Sequence, residues 1–70
     1  MFEQYSRVML ATDKHQNEGA KRGMVGYVLE NYGDRNYEVE FSDPKTGVTV
    51  AQVVVAESDL VAAPEDVAQS

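Results

Sequence analysis

The chain contains no cysteine and only one histidine, and it has half as many basic as acidic residues. Without cysteine there is no disulfide, no thiolate nucleophile and no cysteine-bound metal, a pattern typical of a reducing compartment. Apolar runs such as Val53–Ala56 are far shorter than the roughly 20 residues of a membrane-spanning helix. Since the residues after Met1 also lack a basic segment followed by an apolar one, we expect no export signal, no membrane anchor and a cytoplasmic location.

Seventy residues allow one small domain. A domain of this size buries only about 60% of its unfolded surface, which leaves little room for an internal catalytic cavity. The single histidine, His15, lies in a polar stretch without the serine or aspartate spacing that nucleophilic catalysis needs. The dispersed carboxylates match no metal-ligand pattern. We therefore expect a non-catalytic protein with no metal and no cofactor.

The imbalance of charge indicates what kind of partner the chain attracts. Six basic and twelve acidic residues give a formal net charge of −6. Nucleic acid is repelled at long range, because its non-specific affinity comes mainly from lysine and arginine neutralising phosphates. A basic protein surface is attracted, although net charge of this size also serves simply to keep a small domain soluble.

Alternation of apolar and polar residues predicts an all-β fold. The predicted strands are 5–11, 23–31, 37–42, 48–56 and 61–63. Val8 and Leu10 of the first strand should face the core, as should Tyr37, Val39 and Phe41 of the third. Glu38 and Glu40 then face outward. This third strand has the clearest alternation in the chain.

Polar segments rich in turn-forming residues connect these strands. Residues 12–22 predict a loop long enough to be functional, and residues 32–36 and 43–47 predict two hairpin turns. Residues 57–60 look like one short 3-10 turn before the last strand. Residues 1–63 should therefore form the domain, followed by a frayed tail over 64–70.

One segment, Lys21–Glu30, carries two glycines where a strand must start, bulge or bend sharply. In chain order, the recognisable motifs are Gly23-x-x-Gly26-x-Val28, Tyr37–Phe41, Gly47-x-Thr49-Val50-Ala51 and Asp59-Leu60. Over residues 8–63 the chain resembles an uncharacterised bacterial family of short SH3-like barrels, a domain of unknown function. The resemblance implies a small five-stranded SH3-like barrel but no activity and no catalytic residues.

The outer face of the fourth strand is the best candidate for a binding surface. Its exposed side would carry three valines interrupted only by Gln52, and a contiguous apolar stripe on a small domain marks an interface. Carboxylates on the third strand and beyond the fourth should surround this stripe. The candidate protein-binding residues are Glu38, Glu40, Val48, Val50, Gln52, Val54, Glu57 and Asp59.

An alternative surface for nucleic acid is centred on the long loop. Tyr27 and Tyr32 are available there to stack on bases. The basic residues of this alternative are Arg7, Lys14, Lys21 and Arg22. Asp13 and Glu18 lie among them and reduce the attraction for phosphates, so we expect nucleic acid to be the weaker candidate.

These observations favour a small acidic protein-binding module whose partner is a basic protein. One concrete form is an antitoxin-like or immunity-like inhibitor whose acidic face covers a basic active site. An accessory subunit of a larger bacterial enzyme is the alternative, with a more apolar interface, and an RNA-associated barrel is a third. Self-association through the fourth strand also stays open.

Overall fold

The structure is a computed structural model and describes residues 1–64. Its strands are β1 Arg7–Leu10, β2 Val25–Asn31, β3 Asn36–Ser42, β4 Thr49–Ala56 and β5 Leu60–Ala62. Two 3-10 helices, Gln16–Glu18 and Glu57–Asp59, complete the regular structure of this part of the chain. The predicted all-β fold with five strands is confirmed, with one 3-10 helix more than expected. Of the predicted tail over 64–70, residues 65–70 lie outside the described residues.

All five strands form one antiparallel sheet in the order β4-β3-β2-β1-β5. β4 and β5 are its edges and are not paired with each other, so the sheet is not closed by hydrogen bonds. Only the 3-10 helix Glu57–Asp59 joins them. Ala56 and Leu60 therefore lie at most about 15 Å apart, whereas the edges of a flat five-stranded sheet would be about 19 Å apart. The sheet must curl towards itself.

The curled sheet encloses a single core on its inner face. Val8 and Leu10 of β1 and Tyr37, Val39 and Phe41 of β3 are buried, as predicted from the alternation. The other buried hydrophobic residues are Ala20, Val28, Ala51, Val53, Val55 and Leu60. Every strand contributes to this cluster, so the opposite face of each strand is left for solvent or for a partner.

The observed strands start one or two residues from their predicted positions, and for β1 and β2, which both start two residues late, the reason is local backbone geometry. β1 begins at Arg7 rather than at residue 5, because Tyr5 has a φ of 69° and cannot continue an extended strand. β2 begins at Val25, since Gly23 has a φ of +91° and forms the turn that precedes the strand. Gly26 is extended, and its missing side chain makes room for the backbone of Glu40 on β3.

No helix among residues 1–64 is both long and apolar enough to cross a membrane.

Candidate protein-binding surface

The outer side of β3 and β4 brings together five of the eight predicted protein-binding residues. Glu38 pairs with Val54 and Glu40 with Gln52 across the two strands. Val50 lies two residues before Gln52 on β4, and its side chain is also exposed. Because neighbouring residues of a strand face opposite sides, these five side chains lie opposite the core residues of the same strands. We call them the β3–β4 face.

The valines of this face remain exposed. Val50 is 43% and Val54 49% accessible, and Val48, just before β4, is 61% accessible. The register between β3 and β4 shifts after Phe41, so that Ala51 pairs with Phe41 while Thr49 pairs with Ser42. Val50 is the extra residue of this bulge, which increases the local twist without turning the valine into the core. The exposed stripe inferred from the sequence is therefore present.

Glu38 is held in a fixed position on this face. The hydroxyl group of Tyr32 and the side-chain amide of Gln52, at 2.9 Å, both donate hydrogen bonds to its carboxylate. These two donors lower the pKa of Glu38 below its ordinary value of 4.5, and Tyr32 has the larger effect. Glu38 is therefore a charged acceptor at neutral pH.

Glu40 is oriented in a similar way. The hydroxyl group of Thr49 donates a hydrogen bond of 2.6 Å to one oxygen of its carboxylate. Both carboxylates are thus directed by uncharged polar side chains, and no cation among residues 1–64 forms an ion pair with them. An ion pair offered by a partner would add to this arrangement, since a carboxylate accepts up to about four hydrogen bonds.

Glu30, on β2, extends the negative surface next to Glu38 and Tyr32. Glu30 pairs with Glu38 across β2 and β3. The hydrogen bond to Glu38 is the main cause that raises the pKa of Tyr32 above 10.0, and the charge of Glu30 adds to it. Glu30 was not among the residues predicted for this surface, because the register of the β2–β3 pair shifts after Val28. The alternation of residue types alone could not place it beside Glu38.

Glu57 lies away from the β3–β4 face. Its carboxylate is 3.2 Å from the N-terminal ammonium group and accepts a hydrogen bond of 3.1 Å from the hydroxyl of the buried Tyr37. The N-terminal ammonium group has the largest effect in lowering the pKa of Glu57, and the hydroxyl of Tyr37 has the next largest. Since Tyr37 points to the core side of β3, Glu57 belongs to the end of the sheet and not to its outer surface.

Asp59 also lies apart from the β3–β4 face. Its carboxylate forms an ion pair of 3.3 Å with Lys14, and its backbone carbonyl accepts a hydrogen bond from the amide of Ala11. The acidic residues predicted to surround the valines therefore divide into three locations. Only Glu38 and Glu40 border the stripe.

The basic residues of the alternative nucleic-acid surface are largely engaged by other groups. Arg22 lies 3.3 Å from Asp13 and donates to the carbonyl of Ala11, and Lys14 pairs with Asp59. Arg7 donates a hydrogen bond of 2.8 Å to the carbonyl of Pro64. Lys21 is exposed. Phosphates would have to compete with these partners, two of which are carboxylates.

His15 forms a local pair with an acidic residue three positions further along the chain. Its Nδ1 atom lies 2.6 Å from the carboxylate of Glu18, and its side chain is 16% exposed. Within residues 1–64, no group of three or more histidine, aspartate or glutamate side chains is placed to hold a metal ion.

Comparison with known proteins and protein families identifies the family of this chain. No curated protein and no solved structure matches the chain. A family model described as "Domain of unknown function (DUF4926)" matches residues 4–62, which include all five strands. The chain therefore belongs to this family.

Proposed function

We propose that this chain is a non-catalytic protein-binding module, and that its β3–β4 face docks a basic partner protein. The observation that carries the proposal is the joint placement of two oriented carboxylates, Glu38 and Glu40, beside two exposed valines. Interfaces combine an apolar centre with a polar border in this way. Complementary charge then speeds association and fixes the orientation of the partners.

The proposal includes an SH3-like barrel as the form of the sheet. Its support is the core, to which all five strands of one sheet contribute buried side chains without an α-helix or second sheet among residues 1–64 to cover them. A single sheet can do this only by curling, and the short link between β4 and β5 requires the same curvature. An origin in the bacterial cytoplasm belongs to the same proposal, supported by the absence of cysteine.

An inhibitor of the antitoxin or immunity type is the concrete form we propose. A net charge of −6 on 70 residues attracts a basic surface over a Debye length of about 8 Å at physiological salt. A small rigid domain with an acidic face suits the role of covering a basic active site. The proposed partner is therefore a protein whose contact surface is rich in lysine and arginine.

The test compares two charge-reversed variants in capture experiments from lysate of the native host. In the first, Glu38→Lys/Glu40→Lys, the reversal lies on the β3–β4 face. In the second, Glu3→Lys/Asp34→Lys, two carboxylates that are exposed and lie outside this face are reversed. Both variants have the same net charge. Urea unfolding of each variant first establishes that it remains folded.

We expect the wild type and the Glu3/Asp34 variant to retain one stoichiometric basic protein at low salt and to release it at high salt. The Glu38/Glu40 variant should bind it on the order of tenfold more weakly, because the reversed charges repel the partner. Equal capture by both variants would refute the proposal. A salt-resistant complex that tolerates both reversals would instead favour the accessory-subunit alternative, and stronger binding of RNA by the Glu38/Glu40 variant would favour the RNA-associated one.

A further inference from the structure

β4 presents an unpaired edge of the sheet next to the β3–β4 face. It pairs with β3 on one side only, and among the described residues no other strand pairs with it. The loop over residues 12–22 approaches the start of β4, where Gly19 lies close to the carbonyl of Val50. From Gln52 to Ala56, by contrast, the edge is without a neighbouring strand.

The residues whose backbone groups point out of this edge can be identified. The amide of Glu57 donates a hydrogen bond to the carbonyl of Arg35, one residue beyond the pair of Asn36 with Ala56. In an antiparallel ladder, hydrogen-bonded pairs alternate with non-bonded ones. Val55 and Val53 therefore direct their amide and carbonyl groups towards β3. Gln52 and Val54 direct theirs away from it, towards the free edge.

From Gln52 to Ala56 this edge lacks the features that protect exposed strands, because the bulge at Val50 and the loop over residues 12–22 lie only at its start. Proteins blunt such edges with lysine, proline, short length or inward-pointing charge. β4 is eight residues long, with the sequence Thr-Val-Ala-Gln-Val-Val-Val-Ala, and contains no charged residue and no proline. The residues with free backbone groups, Gln52 and Val54, also place their side chains on the β3–β4 face. An added strand would thus contact both the edge and that face.

We propose that the partner contributes an extended segment that pairs with the free edge of β4 and carries lysine or arginine at every second position. Such a strand would place its outward side chains about 10 Å, two strand spacings, from Glu38 and Glu40. Long basic side chains cross that distance over Gln52 and Val54 and reach the two carboxylates. Backbone hydrogen bonds then provide affinity, and alternate basic residues provide specificity. This inference rests on the proposed function.

The alternative occupant of the edge is a second copy of the chain. Pairing β4 with β4 would bring two molecules of net charge −6 together, with their own Glu38 and Glu40 beside the junction. Like charges at such a junction oppose association. A basic segment removes this repulsion and replaces it with attraction, which is why the observations favour it.

The test uses amide hydrogen exchange followed by NMR. In the free protein, the amides of Gln52 and Val54 should exchange rapidly, while those of Val53 and Val55 are protected by β3. The probe is a synthetic peptide of about ten residues, matched to the length of β4, in which lysine and valine alternate. Its addition should slow the exchange of Gln52 and Val54 at least about tenfold, since their amides then donate to the added strand. A glutamate–valine peptide is the charge control and should have no effect.

Two N-methylated forms of the lysine–valine peptide separate strand pairing from simple charge attraction. One form carries the methyl groups on the lysine amides and the other on the valine amides. Since the lysines would pair with Gln52 and Val54, whose backbone groups point out of the edge, only the valine-methylated form keeps the amides that face β4. That form should bind at least about tenfold more tightly, because each blocked amide removes one hydrogen bond. Equal binding of the two forms, or binding without protection of Gln52 and Val54, would overturn the inference while leaving the proposed function intact.

Two further results would also overturn the strand-pairing inference. The first is a free protein that sediments as a dimer with Gln52 and Val54 already protected, because the occupant would then be a second copy. The second is a peptide that fails to bind while the host partner is still captured in the salt-dependent way. Loss of the captured partner itself would count against the proposed function instead.

Discussion

Gly26 is the residue at which one added methyl group should most disturb the sheet. Its backbone is extended, but a Cβ atom there would collide with the carbonyl oxygen of Glu40 and lie 2.8 Å from Cδ1 of Phe41. Phe41 is fully buried in the core and pairs with Gly26 across the strands. Neither group can move without shifting β3. The substitution Gly26→Ala therefore forces a backbone displacement in the centre of the sheet.

We expect Gly26→Ala to lower the free energy of unfolding by about 2 kcal/mol, within the range of overpacked cores. Glycine-to-alanine exchange stabilises by about 0.4–1 kcal/mol where the site has room, so the steric cost must exceed that gain. A chain of this length has a total stability of only about 4–10 kcal/mol. With a denaturant slope of about 1 kcal/mol/M, the urea midpoint should fall by about 2 M.

Gly23 supplies the matched control, because there the requirement comes from backbone conformation and not from space. A Cβ atom added at Gly23 would have no neighbour within 4 Å, but the φ of this residue is +91°. Gly23→Ala should cost about 1 kcal/mol, and Gly23→Asn less, since asparagine tolerates the left-handed region. Asparagine at position 26 should be worse than alanine. A Gly26→Ala protein within about 0.5 kcal/mol of the wild type, the usual effect of a surface exchange, would refute this reasoning.

The remaining predictions concern the hydroxyl groups of Tyr37 and Tyr32. The hydroxyl of Tyr37 accepts a hydrogen bond of 3.0 Å from the amide of Phe2 and donates one to Glu57, so Tyr37→Phe should lower the free energy of unfolding by about 1–2 kcal/mol in urea titration. The folded-state pKa of Glu38 is lowered mainly by Tyr32, so this carboxylate stabilises the fold above its ordinary pKa of 4.5 and loses that effect as the pH falls through the folded value. In Tyr32→Phe, the pKa of Glu38 measured by NMR should rise towards 4.5, and the acid-side loss should become smaller.

Exposed tyrosines provide the controls for both experiments. Tyr5 is 68% and Tyr27 47% exposed. Tyr5→Phe should leave the urea midpoint nearly unchanged, and Tyr27→Phe should leave the pKa of Glu38 unchanged. An unaltered midpoint in Tyr37→Phe would show that its buried hydroxyl contributes nothing. An unaltered Glu38 pKa in Tyr32→Phe would show that the hydrogen bond between them is absent in solution.

The alternation of residue types was sufficient to predict the strands and the buried side of β3. Tyr37, Val39 and Phe41 are buried because large apolar side chains at every second position can leave water only on one face of a strand. The same alternation predicted that Glu38 and Glu40 face outward. These features depend on neighbours along the chain, which the sequence contains in full.

Which acidic residues lie together on the outer side of the sheet was decided by the tertiary structure. Glu57 follows β4 directly in the sequence, yet it lies beside Tyr37 and the N-terminal ammonium group at the end of the sheet. Glu30 is eight residues from Glu38 in the chain but pairs with it, because a bulge shifts the register of β2 against β3. Bulges and sheet curvature result from contacts between distant strands, which the pattern of residue types does not specify.

Gly23, in the turn before β2, and Gly26, within β2, also show what the sequence determines and what only the tertiary structure decides. Sequence alone indicated that Gly23 and Gly26 mark a start, bulge or bend, because glycine is otherwise unfavourable in a strand. Only the folded chain shows that Gly23 is needed for its positive φ, whereas Gly26 is needed for the space it leaves to Glu40 and Phe41. A backbone angle is a local property, but the space beside Gly26 exists only once β3 has packed against β2.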